Sequence, residues 1–371
     1  MSDETLKPFH PVFTGNAEER IKPEDALGLP PAPTWRRADR RKMERGATFQ
    51  ATSEEIEMVN AALYLRRPLL VTGKPGTGKT SLAYAIAREL GLGEVLYWGI
   101  TTRTTLKDGL YLYDAIARLQ DANSVRTPVD GTKAGRDRFE NIGDYIRLGP
   151  LGTALLPSKK PRVLIVDEID KSDIDLPNDL LSVFEEGAFE IPELLRIETV
   201  KHEVEVRSAY RDQQEITFNQ GAVTEGKTKI IRGRVACNEF PLLILTSNGE
   251  RDFPPPFLRR CVRLTMEEPG KDRLIQIVNA HLEQQLTQDR SENATHDALS
   301  EEVIEELIDG FIKKRNDRSR GALATDQLLN AIYVVLRERD TNLTHRQDLI
   351  NRLWKHLSSS EDQQSDRSLK R

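Results

Sequence analysis

The sequence predicts an α/β fold: a parallel sheet flanked by helices and carrying a β-hairpin insert, followed by a second, all-helical domain. Three observations predict it. A glycine-rich octapeptide, Gly73–Thr80, sits between the apolar stretch Pro68–Thr72 and a helix-forming stretch, Ser81–Leu90. A second apolar run, Arg162–Val166, ends in Asp167-Glu168 and is uninterrupted, as a strand covered on both faces should be. From Lys271 onward, apolar residues recur at i, i+3 and i+4, the stripe of helices packed on one another.

The elements follow in order. Residues 1–50 are rich in proline and charge, and Leu29-Pro30-Pro31-Ala32-Pro33 excludes helix and central strand. Trp35 and a basic run (Arg36, Arg37, Arg40, Arg41, Lys42, Arg45) come next. This arm reads either as a solvated or packed segment, or as one that grips a neighbouring subunit or a nucleic acid. Thr52 and Glu55 have capping-box spacing, and the helix they start carries Ile56, Val59, Ala62 and Leu63 on one face. Strands are expected at 68–72, 94–100, 162–166 and 242–246. Helices are expected over 81–90 and 176–186, a further helix within 106–119, and loop over 120–145. Between 188 and 240 the pattern has period two, in Glu203–Arg207, Glu215–Phe218 and Lys229–Ile231, which predicts hairpins inserted in the α/β core. Four helices are then marked by Leu274/Ile277/Val278/Leu282, by Val303/Ile304/Leu307/Ile308/Phe311, by Leu328/Leu329/Ile332/Val335 and by Leu349/Ile350/Leu353/Trp354. The polar stretch Ser358–Arg371 is expected to be disordered. The expected division is an arm over 1–50, an α/β domain over 51–268 with its insert at about 188–240, a helical lid over 269–357 and a tail over 358–371.

Composition narrows the function classes. The chain has 371 residues, 38% hydrophobic and 30% charged, with a formal net charge of -5. That balance offers no general attraction to polyanions. Its two cysteines, Cys237 and Cys261, are too few and too far apart for a disulfide framework or a zinc site, and its six histidines show no ligand spacing. Met1–Gly15 lacks the apolar segment of a signal peptide, and no apolar run is long enough to span a bilayer. A cytoplasmic protein without membrane contact is expected.

The chemistry is concentrated at strand ends. Gly73-Lys74-Pro75-Gly76-Thr77-Gly78-Lys79-Thr80 is a complete Walker A motif, G-x-x-x-x-G-K-[ST], in its strand–loop–helix setting. Its glycines let successive N–H groups face phosphate oxygens, and the helix starting near Ser81 adds its positive end. Lys79 should reach the β- and γ-phosphates, and the Thr80 hydroxyl should ligate Mg²⁺. Two carboxylates at the end of a buried strand are costly without a cation or a proton to handle. Asp167 therefore reads as a Mg²⁺ ligand and Glu168 as the group that orients the attacking water. Asn248, after the third apolar strand, would stand beside the γ-phosphate. These features together place the chain among P-loop nucleoside triphosphatases.

The order of these motifs resembles an AAA+ ATPase and, within that group, the MoxR family of the helix-2-insert clade. The resemblance rests on Leu148-Gly149-Pro150-Leu151-Gly152, Asp167-Glu168-Ile169-Asp170-Lys171 and Leu180–Gly187. It rests further on Thr246-Ser247-Asn248-Gly249-Glu250-Arg251-Asp252-Phe253-Pro254 and Phe257-Leu258-Arg259-Arg260-Cys261, and it covers roughly residues 50–355. It implies ATP as the nucleotide, and a ring of subunits, usually a hexamer, with ATP between neighbours. It also implies an arginine that reaches the next subunit's γ-phosphate, Arg260 first and Arg259 second. One position departs from the pattern: Asp326 stands near the place of the lid's usual sensor arginine, leaving Arg318 or Arg320 as substitutes.

Three readings of purpose follow. Remodelling or activation of a protein partner, by resemblance a von Willebrand A-domain protein, would use the insert and Thr101–Tyr113 as partner or pore surfaces. A nucleic-acid motor, or the motor subunit of a nuclease or defence system, would rest on the basic arm alone, since residues 190–240 hold nine acidic and eight basic residues. A nucleotide-dependent switch with little turnover is the third.

Overall fold

The structure is a computed structural model and describes residues 32–33, 46–126, 141–210, 226–291, 301–316, 323–337, 350 and 353–354. Two compact units divide the chain. One comprises Ala51–Gly73 with Gly78–Met266; the other takes in the described residues of Met1–Gln50, Lys74–Thr77 and Glu267–Arg371.

The first unit starts with helix α1 (Ser53–Leu65). Its capping box is closed: Glu55 N–H donates to Thr52 Oγ1 at 3.2 Å, and Thr52 N–H donates to Glu55 Oε2 at 2.9 Å. The buried face runs through Glu55, Val59 and Ala62, whereas Ile56 is 51% exposed. The expectation that Ile56 faces inward is thus corrected. The cap draws Glu55 inward, which sets Ile56 about 100° round the helix from the packed face.

Strands β1 (Leu69–Thr72), β2 (Leu96–Gly99), β5 (Val163–Asp167), β10 (Leu242–Ser247) and β11 (Val262–Thr265) form a wholly parallel sheet, in the order β11-β1-β10-β5-β2. Helix α2 (Lys79–Glu89) follows β1. All six residues of β10 are buried, as both-face coverage requires. Leu70, Trp98, Leu164, Val166, Leu243, Leu245 and Phe257 share its core.

The stretch after β2 departs from the expected single helix over 106–119. It splits into α3 (Leu106–Leu110), β3 (Tyr111–Tyr113) and α4 (Ala115–Arg126). Tyr111-Leu112-Tyr113 pairs antiparallel with β4 (Ile146–Leu148), a partner over 30 residues away that local periodicity does not reveal. The loop expected over 120–145 is helical as far as Arg126, and Ile142–Tyr145 is a 3₁₀ turn. After β4 comes α5 (Pro150–Ala154). Helices α3 and α5 meet backbone to backbone: a Cβ on Gly149 or Gly152 would strike the carbonyls of Gly109 or Leu110.

Helix α6 (Leu176–Glu186) leads into the second insertion: β6 (Ala188–Glu190), α7 (Pro192–Leu195), β7 (Glu203–Arg207), β8 (Lys227–Ile231) and β9 (Arg234–Ala236). Both insertions join in one sheet, ordered β3-β4-β7-β8-β9-β6, with β4 and β7 parallel at Arg147 and Arg207. Strands β7 and β8 alternate exposed and buried. Their outward side chains pair as Glu203–Lys229 (2.6 Å) and Glu205–Lys227 (3.1 Å), and Glu190 pairs with Arg234 at 3.1 Å. The strand expected at Glu215–Phe218 lies outside the described residues. Helix α8 (Pro255–Arg260) precedes β11.

The second unit is helical where described: α9 (Lys271–Ser291), α10 (Glu301–Arg315) and α11 (Thr325–Arg337). Leu274, Val278, Ile308, Phe311, Leu328, Ile332 and Val335 form its core, and Trp354 meets Phe311 edge-on at 5.7 Å. Most of the fourth expected helix, the arm around Arg36–Arg45, Arg318, Arg320 and Ser358–Arg371 lie outside the described residues. No helix among the described residues is long and apolar enough to cross a membrane.

Candidate active site

The parallel sheet brings three strand ends together. Beyond β1 the chain turns through Gly76 and Gly78, whose φ values of 80° and 94° favour glycine. Thr77 Oγ1 donates to the Lys74 carbonyl at 3.0 Å, closing the turn. Helix α2 then starts at Lys79, so Thr80 and Ser81 stand in its first turn, where N–H groups lack helical partners. Lys74 is exposed and pairs with Glu268 at 2.7 Å. Pro75 is exposed at the tip of the turn.

Lys79 is the centre of the arrangement and only 8% exposed. Its Nζ donates to the Gly73 carbonyl at 2.6 Å and to Asn248 Oδ1 at 2.8 Å. Burial pushes its pKa down, while Asp170, Asp167 and Glu168 oppose that shift. A desolvated ammonium at the mouth of a glycine turn is a strong electrostatic partner for an anion.

Three hydroxyls converge on Asp167. Thr246 Oγ1 donates to its Oδ1 at 2.6 Å, Thr80 Oγ1 to the same atom at 3.3 Å, and Tyr97 Oη to its Oδ2 at 2.7 Å. Burial and this bond raise the Tyr97 pKa, so the phenol stays a donor. Glu168 follows in the left-handed region, at φ 59° and ψ 49°. Its N–H donates to Thr246 Oγ1 at 2.9 Å, so one buried hydroxyl pins both acidic residues. The Glu168 carboxylate accepts from Lys171 Nζ at 2.8 Å and from Asn248 Nδ2 at 3.5 Å.

The sequence-derived residues Lys79, Thr80, Asp167, Glu168 and Asn248 therefore share one network. Arg260 does not join it: its guanidinium binds Glu185 of α6, and Nη1 donates to the Pro256 carbonyl at 3.2 Å. Arg259 is exposed at the end of α8. Sequence reasoning missed Tyr97, Thr246, Asp170 and Lys171 as members of the site. Threonine closing the run Leu242–Thr246, at the height of the acidic pair, was the signal for Thr246. Tyr97 had none, because its place depends on the register of β2 against β5.

The donor set fits Mg²⁺ with a triphosphate. Thr80 and Asp167 offer hard oxygen atoms side by side, and three carboxylates face two lysines, leaving an excess of negative charge. Among the described residues no group of three or more His, Cys, Asp or Glu side chains is arranged to hold a metal by itself. The adjacent Thr80 and Asp167 oxygens suit an ion held by one or two protein atoms, with water and phosphates filling the remaining positions.

Residues 68–260, more than half of the chain, match the AAA domain of the dynein-related subfamily. No curated protein matches the chain. Among solved structures, C. elegans PCH-2 is similar at 12% identity and a TM-score of 0.39, with 84% of this chain and 72% of that chain covered.

Proposed function

Because this chain belongs to the dynein-related subfamily of AAA domains, we propose that it is a Mg²⁺-dependent ATPase that works as a ring and remodels or activates partner proteins. The observation that carries the catalytic reading is the single network joining Lys79, Asp167, Glu168 and Asn248 at the ends of β1, β5 and β10. The N–H groups of Gly76–Ser81 would cradle the phosphates, since Pro75 has none and that of Gly73 goes to the Ser247 carbonyl, and Lys79 would neutralise the β- and γ-phosphates. Thr80 and Asp167 hold Mg²⁺, which supplies charge neutralisation and orients the phosphates. Glu168 would position the attacking water and take its proton, and Asn248, which hydrogen-bonds both Lys79 and Glu168, would help hold that water beside the terminal phosphate.

The ring reading assigns the trans arginine to α8. Arg260 is the residue the resemblance favours, and its guanidinium is engaged with Glu185 of its own chain. Arg259 is exposed and carries the role as readily, so both are candidates. The MoxR assignment is supported by the antiparallel β3–β4 pair, whose strands fall between α3 and α5 in the chain. Protein rather than nucleic acid as the partner is supported by the insert sheet, whose described outward side chains include three pairs of opposite charge. A von Willebrand A-domain protein is the partner class this reading favours.

The test is ATP turnover against protein concentration for wild type, Glu168→Gln, Arg259→Ala and Arg260→Ala. Glu168→Gln should keep nucleotide binding and lose at least about 100-fold in kcat. Specific activity should rise with concentration, and one of the arginine variants should lose about 1,000-fold. Turnover that is independent of concentration and untouched by both arginine changes would refute the shared site.

A further inference from the structure

The 3₁₀ turn that follows β5 (Ile169–Lys171) places a third carboxylate, Asp170, to which the mechanism above gives no task. Asp170 is 3% exposed. Its Oδ2 accepts two backbone N–H groups from the loop after β10: Asn248 N–H at 2.8 Å and Glu250 N–H at 3.1 Å. Gly249, between those two donors, has φ 77°, and that left-handed step turns both N–H groups toward one oxygen. The other oxygen, Oδ1, is buried without a hydrogen-bond partner.

The loop held in this way carries the side chain that joins the two halves of the site. Asn248 Oδ1 accepts from Lys79, and Asn248 Nδ2 faces Glu168 Oε1. An Asn after a strand, followed by glycine, has several turn conformations open to it. A buried carboxylate accepting two amide N–H groups selects one of them, through charge-assisted bonds.

We propose that Asp170 is a positioning residue: by clamping the backbone N–H groups of Asn248 and Glu250, it sets the Asn248 amide between Lys79 and Glu168. Asp170 acts through Asn248, as the hydrogen-bond acceptor for the two backbone N–H groups. The inference rests on the ATPase reading. Displacement of a positioned group by about 1 Å costs on the order of 100-fold in rate. Loss of the clamp should therefore lower kcat by about 10–100-fold while the phosphate-binding turn keeps its affinity.

The experiment is a double-mutant cycle on the full chain with Asp170→Ala, Asn248→Ala and the pair, plus Asp170→Asn. Each is assayed for kcat and for binding of a fluorescent ATP analogue, and its thermal transition is recorded. Asp170→Ala should lower kcat about 10–100-fold with binding within threefold of wild type. In the Asn248→Ala background the same change should have little further effect, because the group it positions is gone. Asp170→Asn keeps one acceptor oxygen for the two N–H groups and should recover most of the loss. Additive effects of the two alanine changes would overturn the proposal, as would a Asp170→Asn variant as slow as Asp170→Ala. If Asp170→Ala does not fold, Asp170→Asn decides: near-wild-type kcat supports the acceptor role, and a kcat at the Asn248→Ala level refutes it. Absence of turnover in the wild type would instead bring down the ATPase reading.

Discussion

Replacing Thr246 with valine removes one hydroxyl and almost no volume, yet it should disturb the site through both acidic residues. Thr246 is 1% exposed, so water cannot take over its role. Its hydroxyl donates to Asp167 at 2.6 Å and accepts from Glu168 N–H at 2.9 Å. The bond to the carboxylate contributes about 1.5–3 kcal/mol and the bond from the amide about 1 kcal/mol. The variant also releases Glu168 from its left-handed conformation, which costs about 1–2 kcal/mol to hold. The net loss of stability, after that relief is subtracted, should be about 1–3 kcal/mol. For a unit of this size that lowers the midpoint of thermal unfolding by about 2–12 °C. Thr246→Ser keeps the hydroxyl and loses one methyl group, a cost of about 1 kcal/mol. Scanning calorimetry of wild type, Thr246→Val and Thr246→Ser reads the difference, and turnover at 25 °C reads its effect on Glu168, expected at about 10–100-fold for valine. If valine shifts the midpoint by under about 2 °C, or serine destabilises as much as valine, the hydroxyl is not the pin described.

Further outcomes are expected. Lys79→Met should weaken binding of a fluorescent ATP analogue at least about 100-fold while leaving thermal stability unchanged or raised, since a desolvated ammonium gives way to an apolar chain of similar length; unaltered affinity would remove Lys79 from the phosphate site. Gly76→Ala must hold φ 80° and bring its Cβ to 2.6 Å from Ala324 Cβ. Titration should show affinity lowered about tenfold or more, because the left-handed cost alone is about 1–2 kcal/mol, and wild-type affinity would contradict that geometry. Burial pushes the His281 pKa down to about 4 from 6.5, and its ring meets Thr48 Oγ1 at 3.1 Å. Between those values the unfolded chain binds a proton that the folded chain refuses. Stability should therefore fall as pH drops from 6.5 toward 4, by up to about 3 kcal/mol. His281→Gln should flatten that part of the stability-versus-pH curve, and an unchanged slope would assign it to other groups. Burial raises the Cys261 thiol pKa to about 12, so a thiol reagent at neutral pH should label it only on unfolding; rapid labelling of Cys261 in the native protein would contradict its burial.

The sequence by itself determined the parts of this protein that depend on neighbours along the chain. A glycine turn between a strand and a helix, an acidic pair after an apolar run, and the i, i+3, i+4 stripes from Lys271 are local patterns. Each constrains its own backbone, so Gly73–Ser81, Asp167, Glu168 and the helices of the second unit could be read directly. Tertiary structure decided what depends on register and on meetings of distant segments. Tyr111–Tyr113 became a strand because β4 was there to pair with it, and Ile56 turned outward because Glu55 closed the cap. Arg260 went to Glu185 because α6 and α8 pack together. The hydroxyl of Thr246, the phenol of Tyr97 and the carboxylate of Asp170 joined the site only once β2, β5 and β10 were aligned side by side. A hydrogen bond reaches about 3 Å and requires its two partners to be aimed at each other. Spacing along a chain does not encode that aim; the packed sheet does.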